Sequence, residues 1–215
     1  MKRIAITHRV DVHPAYGERR DSIDQRWTDF LLRAGLWPIF LPNHPSYIHR
    51  FLDDEKIDGI LLTGGNSLIR YDGDAPERDA VERILLEWAI RNAIPVIGVC
   101  RGMQVIQDYF GVILTKIKGH VGTRHNLDIV EYGAVTDIFR SIKDVNAFHK
   151  EGTHESQAPL SVIARSKQDG IVMAIRHDNL PIFGIMWHSE RENPFVQSDI
   201  EFFKEVFQVN DHLRA

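Results

Sequence analysis

Several features that would place a chain in a large functional class are missing from this one. There is one cysteine, Cys100, in 215 residues, which excludes an intrachain disulfide framework, a cysteine zinc cluster and an iron–sulfur site. There is no large excess of either charge. The 26 Lys and Arg face 30 Asp and Glu, for a net charge of −4, so the broad basic face of a nucleic-acid binder is absent, although a local basic pocket can still exist. No apolar run approaches the ~18 residues that span a bilayer. The apolar part of Met1–His8 is too short for a signal peptide. No internal repeat, low-complexity tract or Gly/Ser/Pro-rich linker divides the chain. The expectation is a single domain over residues 1–215, in the cytosol, with neither nucleic acid nor membrane as partner.

What is present suits a folded enzyme. Hydrophobic residues make up 43% and charged residues 26%, enough to bury a core. Short β-rich runs alternate with amphipathic segments through the first half. Strands are expected at Ile4–Thr7, Trp37–Leu41, Ile57–Thr63 and Pro95–Val99. Between them fall helices over Ser22–Ala34 (Ile23, Trp27, Phe30, Leu31 and Ala34 inward), around Tyr47–Asp53 (Ile48, Phe51, Leu52), and near Glu77–Asn92. The last of these should bury Ala80, Val81, Ile84, Leu85, Trp88 and Ala89. A further helix begins near Arg101 and stops at Gly111. The second half offers strands at Asp128–Tyr132, Ser161–Ser166, Ile171–Arg176 and Pro181–Trp187, a turn at His177–Leu180, and a closing helix around Phe195–Phe207. This is the pattern of a flavodoxin-like, doubly wound α/β sheet, mostly parallel, with an antiparallel section in the C-terminal half. Ligands of such sheets bind beyond the carboxyl ends of the strands.

Three strand ends carry chemistry. Gly98-Val99-Cys100-Arg101-Gly102 is a Gly-x-Cys-x-Gly run at a strand-to-helix junction, the setting of a nucleophile elbow. A helix N-terminus there favours thiolate. A lone Cys after an apolar strand is ordinarily a buried small hydrophobe; the flanking glycines and the adjacent Arg101 favour a nucleophile. His188-Ser189-Glu190 follows the last strand, so His188 can act as base and Glu190 can fix its tautomer. Thr63-Gly64-Gly65-Asn66 ends the third strand. Its backbone N–H, with that of Arg101, can form an oxyanion hole, where a plain β-turn would predict nothing special.

Together these pieces resemble the class I glutamine amidotransferase superfamily, in its γ-glutamyl hydrolase-like branch, peptidase family C26. The matching stretches are Leu62–Asn66, Gly73-Asp74-Ala75-Pro76-Glu77-Arg78-Asp79, Gly98–Gln104, and His188-Ser189-Glu190 where the family usually has His-Pro-Glu. The resemblance implies a Cys–His–Glu triad of Cys100, His188 and Glu190 and a glutamyl-thioester intermediate. It implies oxyanion donors at Gly65 and Arg101, and a glutamyl pocket shared by Gly64, Asn66, Gln104, Asn146, Phe148 and His149. Ala147 replaces a usual Ser in Val145-Asn146-Ala147-Phe148-His149. No cofactor and no metal are implied. The histidine pairs His120/His125 and His149/His154 come without an evident third ligand.

The leaving group is the open question. Arg9, Arg19 and Arg20 beside the first helix can bind an anion, or can be a solvated face of local ion pairs. Lys116, Lys118, His120, Arg124 and His125 form a basic segment that is either a solvated loop or a phosphate clamp. The candidate phosphate ligands are therefore Arg19, Arg20, His120 and Arg124. With the Gly73–Asp79 run, these segments resemble a subgroup of the branch that accompanies capsular or surface polysaccharide synthesis. That subgroup includes hydrolysis of a γ-glutamyl phosphoramidate of CDP to cytidine diphosphoramidate. The expected partner is a small γ-glutamyl substrate, nucleotide-linked in this reading. Alternatives are another γ-glutamyl amide, such as γ-glutamyl-GABA or a γ-glutamyl amine, and a glutaminase subunit passing ammonia to a separate synthetase. A catalytically silent module and a flavin binder are less favoured: the site residues are all present, and no flavin phosphate loop follows the first strand.

Overall fold

A computed structural model of the chain describes residues 1–131, 133 and 135–209. In chain order its strands and helices are β1 (Lys2–Ile6), β2 (Arg9–Val12), β3 (Arg19–Ser22), α1 (Arg26–Arg33), β4 (Leu36–Phe40), α2 (Pro45–Asp54), β5 (Gly59–Leu62), α3 (Pro76–Asn92), β6 (Val96–Val99) and α4 (Arg101–Tyr109). They continue with β7 (Thr115–Lys116), β8 (Val121–Ile129), β9 (Asp144–Phe148), β10 (Glu151–Gly152), β11 (Leu160–Ser166), β12 (Val172–His177), β13 (Ile182–Ile185) and α5 (Gln197–Val206). Among the described residues no helix is long and apolar enough to cross a membrane.

The central sheet has nine strands in the order β4-β1-β5-β6-β13-β12-β11-β8-β9. The first five run parallel, in the order of a flavodoxin-like sheet. The rest are joined antiparallel, so the expected architecture is met. β5 (Gly-Ile-Leu-Leu) and β6 (Val-Ile-Gly-Val) are buried at every residue, as strands covered by helices on both faces must be. On one side α1 and α5 close over the sheet through Trp27, Phe30 and Phe203, whose rings meet edge-on or tilted.

The structure also corrects the expected elements. The first helix begins at Arg26 rather than Ser22, because Arg9–Val12 and Arg19–Ser22 pair as an antiparallel ribbon outside the main sheet. The basic segment after α4 is strand, not loop: His120 precedes β8, which pairs with β9. Of the expected strand Asp128–Tyr132, Asp128 and Ile129 close β8, and Tyr132 lies outside the described residues. Helix α3 is rotated from its expected face. It buries Arg78, Val81, Glu82, Leu85, Leu86 and Ala89, whereas Ala80, Ile84 and Trp88 are half-buried. The reason is a buried ion network on that face.

Candidate active site

β6 and β13 are parallel neighbours with Val99 opposite Ile185. Chain segments distant in sequence therefore emerge level with each other at the carboxyl edge. Cys100 follows β6 directly and sits at φ 52°, ψ −105°, a left-handed conformation that costs a non-glycine residue on the order of 1–3 kcal/mol. The bend needs its glycines. A Cβ on Gly98 would lie 2.5 Å from the backbone of Gly102, and one on Gly102 would collide with the Leu62 carbonyl. The first bond of α4 runs from Gln104 N–H to the Cys100 carbonyl, 3.1 Å, so the N–H of Arg101 has no partner inside the helix.

His188 is buried and held from three sides. Asn146 from β9 clamps its backbone: Oδ1 accepts from His188 N–H at 2.9 Å and Nδ2 donates to His188 O at 2.9 Å. Its Nδ1 lies 2.7 Å from Glu190 Oε1, which places the proton on Nδ1 and leaves Nε2 for a reacting group. Its Cε1 faces Gly64, where a Cβ would sit 2.5 Å away. Burial pushes the imidazolium down, but a Cys100 thiolate and Glu190 together outweigh it and raise its pKa to about 10. A proton is therefore well held on His188 when sulfur is ionised. Arg26 from α1 donates to the carbonyls of Glu190 (2.6 Å) and Glu192 (2.5 Å), fixing the turn that carries the carboxylate. A cavity of about 270 Å³ opens beside these groups, lined among others by Gly64, Gly65, His188 and Glu190.

A sequence model of the peptidase C26 family matches residues 4–190. The chain belongs to the peptidase C26 family. Among individual proteins it is similar to γ-glutamyl-CDP-amidate hydrolase of Campylobacter jejuni, 30% identical over 209 residues, covering 96% of this chain and 98% of that one. It is also similar to γ-glutamyl-γ-aminobutyrate hydrolase PuuD of Escherichia coli K12, 26% identical over 207 residues, 81% and 80% of the two chains. The crystal structure of a GMP synthase subunit from Thermoplasma acidophilum superposes with a TM-score of 0.69 at 19% identity, covering 97% of this chain and 93% of that one. That likeness concerns the fold.

This peptidase C26 chain uses the remaining singled-out residues in several ways. Asn66 mimics a strand partner: Oδ1 accepts from Val10 N–H at 2.8 Å and Nδ2 donates to Val10 O at 2.9 Å. Gln104 Nε2 and His149 Nδ1 both donate to the Glu151 carbonyl, each at 3.0 Å. Phe148 is 43% exposed, with its ring edge-on to His188 at 6.0 Å and Arg191 stacked over it at 4.7 Å. Of the four candidate phosphate ligands, none lines the cavity. Arg19 bonds Glu77 (2.6 Å) and the Asp74 carbonyl, Arg20 bonds Glu18 and Tyr16, and Arg124 lies between Asp144 and Glu192. The cations on the cavity wall are Arg9 and Arg191, and Asp11 and Asp24 stand beside them.

His120 is buried in a network that the sequence did not reveal, because Asp169 joins it from the β11–β12 turn. Asp169 Oδ2 is 2.8 Å from His120 Nε2, and His120 Nδ1 is 3.1 Å from His149 Nε2. Burial lowers His149 to about 4, so His149 is neutral and accepts from His120 N–H. His120, His125 and Asp169 offer donor atoms within 4.8 Å of one another. The two rings, however, are stacked 3.9 Å apart and 15° from parallel. Their in-plane lone pairs do not converge on one point, and each ring nitrogen already has a hydrogen-bond partner. The cluster is a hydrogen-bonded network rather than a metal cage.

Proposed function

We propose that this chain is a cysteine-dependent hydrolase of γ-glutamyl amides acting through a glutamyl thioester. The observation that carries the reading is the placement of His188 between Cys100 and Glu190, on adjacent strand ends and against Gly64-Gly65. Cys100 Sγ attacks the γ-carbonyl carbon, and the oxygen that takes the charge is met by the N–H groups of Gly65 and Arg101. The C–N bond breaks as His188 Nε2–H gives its proton to the departing nitrogen. A water then attacks the thioester, passing a proton to His188, and the C–S bond breaks to free glutamate and the thiolate. Glu190 keeps the proton on Nδ1 throughout and balances the imidazolium. The scheme needs no metal, cofactor or synthetase partner.

The leading substrate is γ-glutamyl-CDP-amidate, yielding cytidine diphosphoramidate. Similarity to the Campylobacter enzyme over nearly the full length of both chains supports it. Arg9 and Arg191, on the cavity wall, are the groups that reach a diphosphate there. A second reading, a γ-glutamyl amide with a cationic amine as leaving group, is supported by Asp11 and Asp24 on the same wall. The test is glutamate release by the purified chain from γ-glutamyl-CDP-amidate, γ-glutamyl-GABA, a γ-glutamyl diamine and glutamine, with Cys100→Ala alongside. Preference for the nucleotide by orders of magnitude supports the leading substrate. Activity confined to small amides removes it but keeps the hydrolase. Glutamate release that survives Cys100→Ala removes both.

A further inference from the structure

Two successive glycines carry no side chain to keep a peptide plane one way up. Rotation of the Gly64–Gly65 plane by half a turn is sterically cheap, and it would put a carbonyl oxygen where an N–H is needed. Arg78, from the first turn of α3, addresses that weakness. Its guanidinium is fully buried and donates to the carbonyls of three consecutive residues: Thr63 at 2.8 Å, Gly64 at 3.0 Å and Gly65 at 2.6 Å. It also reaches Thr63 Oγ1 at 3.1 Å and Asn66 Oδ1 at 3.2 Å. The Gly64–Gly65 peptide is trans, since the cis bonds are Ala158–Pro159 and Asn193–Pro194. In a trans peptide C=O and N–H point in opposite directions. Anchoring the Gly64 carbonyl on Arg78 therefore turns the Gly65 N–H away from α3, toward the wall that Gly64, Gly65 and His188 share.

The same cation is tied to the other oxyanion donor. Arg78 Nε donates to Glu82 Oε1 at 2.9 Å, and the second oxygen of this fully buried carboxylate receives the Arg101 guanidinium. Thr7 Oγ1 donates to Glu82 Oε1 at 2.9 Å and accepts from Thr63 N–H at 3.1 Å. One charge-balanced cluster thus holds the loop after β5 and the residue after Cys100 together.

We infer that Arg78 is a positioning residue for the oxyanion hole, latching the Gly64–Gly65 peptide with its N–H toward the cavity, with Glu82 linking that latch to Arg101. The inference rests on the thioester reading proposed above. Its function is separable from substrate grip and from thiolate reactivity, because the latch acts only on where a carbonyl oxygen gains charge.

The test uses Arg78→Lys, which keeps a cation beside Glu82 but cannot bond three carbonyls in a planar fork, and Arg78→Ala with and without added methylguanidinium. For each, kcat and KM for glutamate release are measured together with the rate of Cys100 alkylation by iodoacetamide, a displacement that develops no oxyanion. Loss of one oxyanion donor predicts a fall in kcat of about 10²–10³-fold, with KM and alkylation rate within about threefold of wild type. Methylguanidinium should restore part of kcat in Arg78→Ala. Unchanged kcat in folded Arg78→Lys, or kcat and alkylation falling in parallel, overturns the inference. So does a crystal structure of the wild-type chain with the Gly64 carbonyl facing the cavity, a result that needs no variant to fold. Glutamate release surviving in Cys100→Ala would instead sink the thioester reading, whatever the orientation of that peptide.

Discussion

Replacing Gly64 with alanine tests whether His188 has any freedom to move. The added Cβ would stand 2.5 Å from His188 Cε1, whereas carbon atoms in good contact lie about 3.5–4.0 Å apart. The imidazole must therefore retreat by roughly 1 Å or more. It has little slack: its backbone N–H and carbonyl are each bonded to Asn146 at 2.9 Å, and Nδ1 is 2.7 Å from Glu190. A 1 Å misplacement of a reacting group costs on the order of 10²-fold in rate, equivalent to about 2.7 kcal/mol of barrier. Overpacking should also lower stability by about 1–3 kcal/mol, an amount that urea unfolding can measure and that leaves a folded enzyme to assay. The expected result is a folded Gly64→Ala variant with kcat for glutamate release down about a hundredfold. A folded variant within threefold of wild type would show that His188 is not confined against the glycine loop.

Three further outcomes follow from the same geometry. Removing the thiolate in Cys100→Ala should lower the His188 pKa from about 10, seen in the pH titration of its imidazole NMR signals; an unmoved titration would mean that Cys100 and His188 are not coupled. Asn146→Ala, which strips both backbone bonds from His188, should cost about 1–3 kcal/mol and reduce kcat more than it changes KM; the reverse split would make Asn146 a substrate ligand. Asp199 supplies a pH test. Burial raises its carboxyl from 3.8 to about 6, against the Trp187 Nε1–H bond at 3.0 Å. A folded-state pKa above the unfolded value stabilises fully below about 3.8 and is lost as pH rises through about 6. Asp199→Asn keeps an acceptor for Trp187 without titrating. It should gain on wild type between pH 4 and pH 8, by up to about 3 kcal/mol; a difference constant with pH would rule out Asp199 as the source.

The legible parts of the sequence were those with a core to face. The apolar runs of β5 and β6 and the Trp27, Phe30, Leu31 stripe of α1 appear where their pattern put them. The β2–β3 ribbon was not legible, because Arg19-Arg20-Asp21-Ser22 lies largely exposed and has no apolar alternation to give it away. β9 was hidden for the opposite reason: Val145, Asn146 and Ala147 are buried in succession. In the candidate site, Cys100, His188 and Glu190 follow strands and could be placed by topology. Arg78 and Glu82 could not, since charged residues on a helix read as a solvated face. Only the sheet edge that they meet turns them into an interior ion pair. Asn146, expected in a glutamyl pocket, holds a main chain instead, and no residue type announces which of those two a buried amide will do.

The sheet order carries a consequence for how the molecule is made. β13 is the last strand of the sheet along the chain yet lies at its centre, between β6 and β12. Cys100 is therefore synthesised long before His188, and strand β6 waits with one edge unpaired while β7 through β12 emerge. Central strands that close such long loops assemble late and slowly. Chains that end before residue 181 hold the cysteine without its histidine, so the rise of a fast-alkylating thiol during refolding would time the insertion of β13.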